Sequence, residues 1–246
     1  MSAADRPRFM LDGREIEFTP GQTILEAAAQ AGQYIPHLCW HPDLVPHGSC
    51  KLCTVRVDGR FVAGCTAQAS AGAVVENRTP QLDDKRRALL QLLFVDGNHF
   101  CPGCEKSGDC TLQATAYELG LLGPHFDAFF PDRRVDASHP DFVLDLNRCI
   151  GCELCVRASR DLDHKDVFAI GGRGIHSRLI VNSRSGQLAD SSFDVSDHAA
   201  HICPVGAIIR KRVGFATPIG KRRFDTIPIS EQTGAIATGQ HDEGKR

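Results

Sequence analysis

The spacing of the cysteines constrains this chain more than any other feature of its sequence. The 246 residues include 11 cysteines, which fall into three groups along the chain. The groups are Cys39, Cys50, Cys53 and Cys65; then Cys101, Cys104 and Cys110; and then Cys149, Cys152, Cys155 and Cys203. Thiols at such short, repeated intervals indicate metal ligands rather than scattered small core residues.

Composition supports a reducing, cytoplasmic setting for these thiols. The N-terminus MSAADRPRFML has no apolar core of a secretory signal, and apolar runs such as residues 92–95 are too short to span a bilayer. Because the cytosol keeps thiols reduced, an odd number of cysteines argues against a disulfide scaffold. The formal net charge of −2 gives no reason to expect nucleic acid or a membrane as partner. We therefore expect a cytoplasmic metal-binding protein.

Local patterns predict an α+β chain with four regions. Residues 1–82 contain two Asp-Gly hairpin signals, at 12–13 and 58–59, and a helix that begins with a capping box at Thr23 and Glu26. This combination predicts a β-grasp sheet. Residues 83–137 are predicted to be helical around the second cysteine group, and residues 138–216 to mix short strands with two cysteine-led helices. Residues 217–246 are expected to be a tail that docks on a partner or is disordered over its final dozen residues.

The first group can hold either zinc or a [2Fe–2S] cluster, because four thiolates suit both. Zinc sites usually present two short pairs, whereas here Cys39 and Cys65 stand apart from the close pair Cys50 and Cys53. That spacing is closer to the loop plus distant fourth ligand of ferredoxins. A Rieske site is excluded, because the Cys50-x-x-Cys53 half contains no histidine. We therefore predict a [2Fe–2S] site.

The second group lacks one ligand. It contains Cys101, Cys104 and Cys110, and His99 is the nearest residue that can complete the set, since neutral imidazole binds iron or zinc. A [4Fe–4S] cluster with one histidine ligand is the prediction, and structural zinc is the alternative.

The third group has the most specific spacing. Cys149, Cys152 and Cys155 follow one another at intervals of three, as ligands do around a [4Fe–4S] cubane. Cys203, followed by proline, is predicted to supply the fourth corner of the same cube across a long insert. Zinc is a poor candidate for this triplet.

Together these assignments use every cysteine, so none remains as a catalytic nucleophile. No G-x-G-x-x-G phosphate loop is found, and GGRG at residues 171–174 is predicted to form a turn. Nucleotide and flavin chemistry is therefore expected on another chain. Four basic residues stand beside the cysteines and either stabilise added electrons or are simply solvated: Lys51, Lys106, Arg148 and Arg157.

The order of these motifs resembles a known arrangement. GSCKLC, then H-x-C-x-x-C-x5-C, then CIGCELC and CPVGAI are similar to the N-terminal, cluster-bearing part of the large complex I subunit, and to parts of [FeFe] hydrogenases and NAD-linked formate dehydrogenases. GNHFCPGCEKSGDC and KRVGFATPIGKRRFD narrow the resemblance to the small diaphorase subunit of bidirectional NAD-reducing [NiFe] hydrogenases. The resemblance covers about residues 9–224. One departure is Gly97, which stands where complex I has its histidine ligand; the role is transferred to His99.

The resemblance implies an electron-transfer subunit without a catalytic site of its own. It would hold one [2Fe–2S] and two [4Fe–4S] clusters, and relay electrons between the small and large [NiFe] hydrogenase subunits and a flavin/NAD diaphorase subunit. FMN, NAD and the NiFe site would belong to those partners, and the overall reaction would be reversible H2 oxidation coupled to NAD+ reduction. Two alternatives stay open: the equivalent subunit of a formate dehydrogenase or short complex I, and a zinc-bearing interaction adaptor.

Overall fold

The computed structural model describes residues 6–232. The described chain forms two compact units: the first comprises residues up to Leu89 together with those from Pro228 onward, and the second comprises Leu90–Ile227. The sequence-based boundaries at residues 82, 137 and 216 stay predictions. The expected disorder of the final dozen residues lies outside the described part.

Both hairpins of the first unit turn where the sequence predicts. Strands β1 (Arg8–Leu11) and β2 (Arg14–Glu17) are antiparallel, as are β3 (Thr54–Val57) and β4 (Arg60–Ala63). Each two-residue turn is Asp-Gly with both φ angles positive, at 48° and 81° in the first and 46° and 84° in the second. Such turns match the right-handed twist of the strands they connect.

Helix α1 (Ile24–Gln30) packs between these hairpins and carries the predicted capping box. The Glu26 amide donates to the Thr23 hydroxyl at 3.2 Å, and the Thr23 amide donates to the Glu26 carboxylate at 2.8 Å. Its buried residues join an apolar cluster with both hairpins, which includes Phe9, Ile16, Ile24, Leu25, Val55 and Val75. This cluster is the core of the β-grasp sheet.

Strand β5 (Val74–Glu76) is not predicted by the sequence pattern. It completes a five-stranded sheet in the order β2-β1-β5-β3-β4. It pairs parallel with β1 and antiparallel with β3. Helix α2 (Pro80–Val95) follows, with Pro80 at its start, and the Leu82 amide donates to the Thr79 hydroxyl at 3.2 Å. Helix α2 therefore begins directly after a side-chain cap at Thr79.

The second unit is built from short elements around loops. Helix α3 (Thr111–Glu118) follows the second cysteine group, and helix α4 (Leu154–Asp161) begins within the third group and contains Cys155. Strands β6 (Val135–Asp136), β7 (Phe142–Asp145) and β10 (Ile208–Arg210) form one sheet, and β8 (Phe168–Gly171) pairs with β9 (Arg178–Val181), so residues 171–174 turn as predicted.

One sequence-based expectation for this unit is wrong in part. The sequence predicts two cysteine-led helices, but only α4 begins at a cysteine motif, after Cys149 and Cys152. Helix α5 (His198–His201) ends before Cys203, and the next element is β10. Residues 204–207 form bends and a turn instead of a helix, and β10 begins at Ile208, where it pairs with β7. The α+β class is confirmed. Among the described helices, none combines the length and the apolar character needed to cross a bilayer.

Candidate metal centres

The first cysteine group is gathered by α1 and the end of β4. The amides of Ile24 and Leu25 donate to the carbonyls of Ala67 and Gly64, both at 2.9 Å, which holds the turn around Cys65 against the helix. A side chain on Gly64 would approach the Cys53 carbonyl to 3.0 Å, so glycine permits this close contact. Cys39, Cys53 and Cys65 are buried, and Cys50 is half-buried.

The four sulfurs lie in two hydrogen-bonded pairs. The Cys50 thiol donates to Cys39, which lowers the pKa of Cys39 and raises that of Cys50. The Cys53 thiol donates to Cys65, with the same opposite effects on their pKa values. The Cys50 amide also donates to the Cys39 sulfur at 3.5 Å. Two such pairs of sulfurs, three of them on buried cysteines, fit a site in which metal charge replaces the shared protons.

The second group lines one cavity. All four predicted donors contribute to its wall, as do the apolar side chains of Phe94, Phe100, Leu112 and Val205: the donors are His99, Cys101, Cys104 and Cys110. Burial raises the pKa of the Cys110 thiol to about 12, so a metal must displace that proton for Cys110 to bind.

The imidazole of His99 is poised as a ligand. Its Nε2 is buried without a hydrogen-bond partner among the described residues, which leaves Nδ1 to donate to the Leu93 carbonyl. Burial lowers the pKa of His99, and the nearby Arg133 and Arg148 charges lower it further. A neutral ring held through one nitrogen presents the other as a lone pair, as metal-binding histidines do. This orphaned atom is the observation that best fits a metal at the second group.

Gly97 explains why the histidine stands at position 99. A Cβ on Gly97 would lie 2.9 Å from His99 Nε2 and 2.7 Å from the Asn147 carbonyl oxygen. The imidazole therefore occupies the space that a side chain at position 97 would need, so glycine is the residue that fits there.

The third group lines a second, more apolar cavity. Its walls contain the four predicted cysteines and aliphatic residues: Cys149, Cys152, Cys155 and Cys203, with Ile170, Leu179, Val205 and Ile208. The triplet wraps the cavity because Gly151 and Glu153 both adopt left-handed backbone conformations, with φ of 61° and 60°. Burial raises the pKa of Cys149 to about 11 and that of Cys155 well above its usual range. The donor set and enclosure fit the predicted cubane.

Val205 lines both cavities and separates the second and third groups. A Cβ on the next residue, Gly206, would lie 3.0 Å from the Cys104 sulfur, and the Pro204 carbonyl accepts the Thr111 amide at 2.9 Å. Residues 203–206 therefore lead from Cys203, a predicted ligand of the third group, to the surroundings of the Cys104 sulfur in the second group. The spacing of the cysteines identified Cys203. It could not predict the wall that residues 203–206 form between the two cavities, because that wall exists only where segments remote in the sequence come together.

A second link joins the loops of these two groups. Asn98 donates to Asn147 twice, from its amide to the carbonyl at 2.9 Å and from Nδ2 to Oδ1 at 2.7 Å. Asn98 precedes His99, and Asn147 lies two residues before Cys149. The two sites are therefore neighbours held by direct hydrogen bonds.

The four basic residues beside the cysteines differ in their surroundings. Arg148 lines the second cavity and bonds to Glu105 at 2.6 Å and Asp145 at 3.0 Å. Lys106 pairs with Asp109 at 2.7 Å, Lys51 is exposed, and Arg157 is buried. Because carboxylates offset their charge, Arg148 and Lys106 affect a nearby cluster less than isolated cations would.

No three His, Cys, Asp or Glu side chains between residues 6 and 232 are grouped closely enough to hold a single metal ion. In the second and third groups the donors instead stand around an open cavity.

Comparison with protein families assigns all three regions to iron–sulfur domains. Residues 5–80 match the 2Fe-2S iron-sulfur cluster binding domain. Residues 86–124 match the NADH-ubiquinone oxidoreductase-G iron-sulfur binding region, and residues 142–209 match the 4Fe-4S single cluster domain. The fold and these matches define the class: an iron–sulfur protein with both 2Fe-2S and 4Fe-4S binding domains.

Individual relatives identify the family. The chain is 41% identical over 217 residues to the gamma subunit of the NAD-reducing hydrogenase HoxS of Cupriavidus necator, covering 87% of this chain and 92% of the relative. A chain in a crystal structure of an NAD+-reducing [NiFe]-hydrogenase in the H2-reduced state superimposes with a TM-score of 0.90 at 55% identity, covering 94% of this chain and 98% of that one. The chain belongs to the family of NAD-reducing hydrogenase gamma subunits, which confirms the resemblance.

More distant relatives are longer proteins. An NADH-quinone oxidoreductase subunit of Rickettsia prowazekii is 31% identical over 210 residues, which are 85% of this chain but 30% of the relative. The alpha subunit of an NADPH-Fe(3+) oxidoreductase of Geobacter sulfurreducens is also 31% identical, over 83% of this chain and 24% of its own length.

Proposed function

We propose that this chain holds one [2Fe–2S] cluster and two [4Fe–4S] clusters, and relays electrons between a [NiFe] hydrogenase module and a flavin/NAD diaphorase module. The observation that carries the proposal is the set of two cavities, each lined by four predicted donors, in a chain that matches a hydrogenase gamma subunit over almost its whole length. When bound, the clusters would accept and release single electrons. The residues of the chain hold them, exclude water and set their potentials.

The proposed ligands follow the three groups. Cys39, Cys50, Cys53 and Cys65 would hold the [2Fe–2S] cluster. One [4Fe–4S] cluster would be held by His99, Cys101, Cys104 and Cys110, and the other by Cys149, Cys152, Cys155 and Cys203. In this proposal the chain itself has no substrate site, and FMN, NAD and the NiFe centre belong to partner subunits.

The surface supports assembly with other subunits. Four large apolar side chains between residues 122 and 130 are exposed: Leu122, Phe126, Phe129 and Phe130. Soluble monomers seldom expose such a concentration of apolar side chains. The proposed ligand sets use all 11 cysteines and leave none for a disulfide, which supports the proposed cytoplasmic location, where thiols stay reduced.

Metal and sulfide analysis of the complex that co-purifies anaerobically with the tagged chain tests this function. Iron, acid-labile sulfide and nickel together, with hydrogen-driven NAD+ reduction, are expected. Iron with molybdenum or tungsten instead of nickel would support the formate dehydrogenase alternative, and iron alone would support a short complex I. Zinc without iron would refute the electron-transfer function and leave the adaptor.

Substitution of His99 tests the ligand assignment within the same complex. His99→Ala is expected to remove one [4Fe–4S] signal from the electron paramagnetic resonance spectrum, and His99→Cys to retain that cluster with an altered potential, because thiolate carries a charge that imidazole lacks. His125→Ala is the matched control, since His125 is exposed in the same unit. Three unchanged cluster signals in His99→Ala would exclude His99 as a ligand.

A further inference from the structure

Arg86 is the largest side chain that the described residues bury almost completely, with 1% of its surface exposed. It lies in the middle of α2, on the face that carries buried Leu82 and Leu90. A guanidinium group at such depth carries a large desolvation cost, and its burial lowers the pKa of Arg86. The fold retains this charge in a place where an apolar residue would ordinarily pack.

Every N–H group of this guanidinium has an acceptor. Nε donates to the Leu52 carbonyl at 3.1 Å, and Nη2 donates to the Thr54 carbonyl at 2.9 Å. Asn77 accepts two further bonds, through its carbonyl from Nη1 and through Oδ1 from Nη2, both at 2.7 Å. The fifth hydrogen bond runs from Nη1 to the Asp83 carboxylate at 3.4 Å. The five donors of an arginine fork are thus all used.

Two of these acceptors flank a cysteine of the first group. Leu52 and Thr54 are the residues immediately before and after Cys53, which is fully buried. The guanidinium therefore holds the peptide on both sides of Cys53. Its planar fork, with fixed donor directions, can do this where the single flexible ammonium of lysine cannot.

The charge of Arg86 is only weakly offset. Four of its five acceptors are uncharged amide oxygens, and within the described chain Asp83 is the single carboxylate found at salt-bridge distance. The Asp83 side chain is 30% exposed, so solvent screens part of its charge. A net positive charge remains beside Cys53, at a buried position where solvent screens it little.

We propose that Arg86 is a positioning residue of the first site that fixes the Cys53 loop and, through its buried charge, favours the reduced state of the [2Fe–2S] cluster. The inference rests on the proposed assignment of that cluster to Cys39, Cys50, Cys53 and Cys65. Reduction of the cluster adds one electron and one negative charge without forming or breaking a covalent bond, and the electron comes from the neighbouring redox centres. A nearby buried cation stabilises the more negative state.

An anaerobic redox titration of the purified complex tests this, with the [2Fe–2S] signal followed by electron paramagnetic resonance. At the potential where the wild-type cluster is half reduced, Arg86→Gln is expected to lower the ratio of reduced to oxidised cluster on the order of tenfold, which for one electron corresponds to 59 mV. Arg86→Lys keeps the charge and is expected to restore most of the ratio. Asp83→Asn removes the opposing carboxylate, so the ratio is expected to rise.

Arg87→Gln is the matched control. Arg87 is the next residue of the same helix, its side chain is 38% exposed, and it pairs with Asp84. Solvent screens a charge at that position, so its loss is expected to leave the ratio unchanged.

A purely structural role predicts a different pattern, in which Arg86→Gln reduces the amount of cluster but not its potential. A full [2Fe–2S] signal with an unshifted ratio in Arg86→Gln would therefore overturn the inference. If Arg86→Gln does not assemble a cluster, Asp83→Asn decides, because it leaves the other four bonds of Arg86 in place. A ratio that does not rise in Asp83→Asn overturns it as well. Absence of any [2Fe–2S] signal from the wild-type complex would instead contradict the proposed function.

Discussion

His99 and Gly97 illustrate how single residues determine the second site. The ring of His99 is held by the Leu93 carbonyl and packs edge-on to Phe94, with ring centroids 5.4 Å apart. Gly97 leaves the space that the imidazole occupies. A ligand with two fixed neighbours loses little entropy when it binds metal, which favours a complete site.

Replacement of Gly97 by alanine is expected to displace His99. The new Cβ would approach Nε2 to 2.9 Å and the Asn147 carbonyl to 2.7 Å, both closer than real Cβ contacts. We expect loss of one cluster, measured as a decrease of about four iron atoms per chain. Gly123→Ala is the control, since nothing lies within 4 Å of that position. Full iron content in Gly97→Ala would show that the imidazole can move aside.

At the scale of elements, β5 is held at both ends by the hairpin turns. The Asp12 carboxylate accepts the amides of Asn77 at 2.8 Å and Arg78 at 3.2 Å, after the strand ends. The Asp58 carboxylate accepts the Val74 amide at 3.1 Å, where the strand begins. The two Asp-Gly turns therefore do more than reverse the chain, because they fix a three-residue strand between β1 and β3.

Substitution of Asp12 tests this role. Asp12→Ala leaves two amides without their acceptor and places alanine at φ of 48°, so a loss of about 2 kcal/mol in the free energy of unfolding is expected. Asp12→Asn retains an oxygen acceptor and tolerates this backbone conformation, so it should remain close to the wild type. Denaturant titration of the cluster-loaded chain measures both. Equal stability of the two variants would exclude the proposed contribution.

The ion pair between Arg56 on β3 and Glu76 on β5 makes a second, pH-dependent link. Its hydrogen bonds with Arg56 lower the pKa of Glu76 in the folded state. A depressed carboxyl pKa stabilises the fold above the unfolded value of about 4.3, and this contribution is lost as the pH falls below it. The difference in melting temperature between wild type and Glu76→Gln is therefore expected to shrink between pH 6 and pH 3. A difference that stays constant over that range would contradict it.

The elements that the sequence predicted are those specified by adjacent residues. The Asp-Gly turns and the capping box at Thr23 each act within a few residues, and both predictions are confirmed. Strand β5 escaped prediction because three residues carry no periodic signal and its partners lie far away in the chain. The helix expected after Cys203 is absent for a similar reason, since β10 begins five residues later and pairs with β7, which is remote in the sequence.

In the candidate sites, too, the sequence predicted the features that adjacent residues specify and missed those that depend on distant segments. Regular spacing indicated the cysteines, and the missing fourth ligand indicated His99. Spacing could not reveal that Val205 lines both cavities, that a side chain on Gly206 would clash with the Cys104 sulfur, or that Arg86 holds the peptides around Cys53. Those features arise only when segments remote in the sequence come together.

For the whole molecule, the two units are expected to respond differently to metal removal. The β-grasp sheet of the first unit encloses an apolar cluster that does not depend on its cysteines alone, whereas in the second unit two cavities are walled by the proposed ligands. Without metal, those ligands have nothing to pack against and repel one another when ionised.

Limited proteolysis after anaerobic iron chelation tests this expectation. Cleavage is expected first within residues 90–227, with loss of circular dichroism, while the sheet formed by β1 to β5 resists longer. The untreated, iron-loaded chain under the same protease is the control. Equal resistance of the chelated and loaded chains would show that the second unit folds without its metals.

The wall formed by residues 203–206 also constrains how the protein can be made. A ribosome delivers the cysteines of the second group and the triplet of the third long before it delivers Cys203, Val205 and Gly206. Until residues 203–206 emerge, the wall between the two cavities is missing, and the third cysteine group lacks its proposed fourth ligand, Cys203. The nascent chain therefore cannot enclose either cluster during most of its synthesis. If the proposed clusters are present, we expect iron insertion into this half of the protein to follow translation, and a product truncated before residue 203 to leave both sets of thiols open to oxidation.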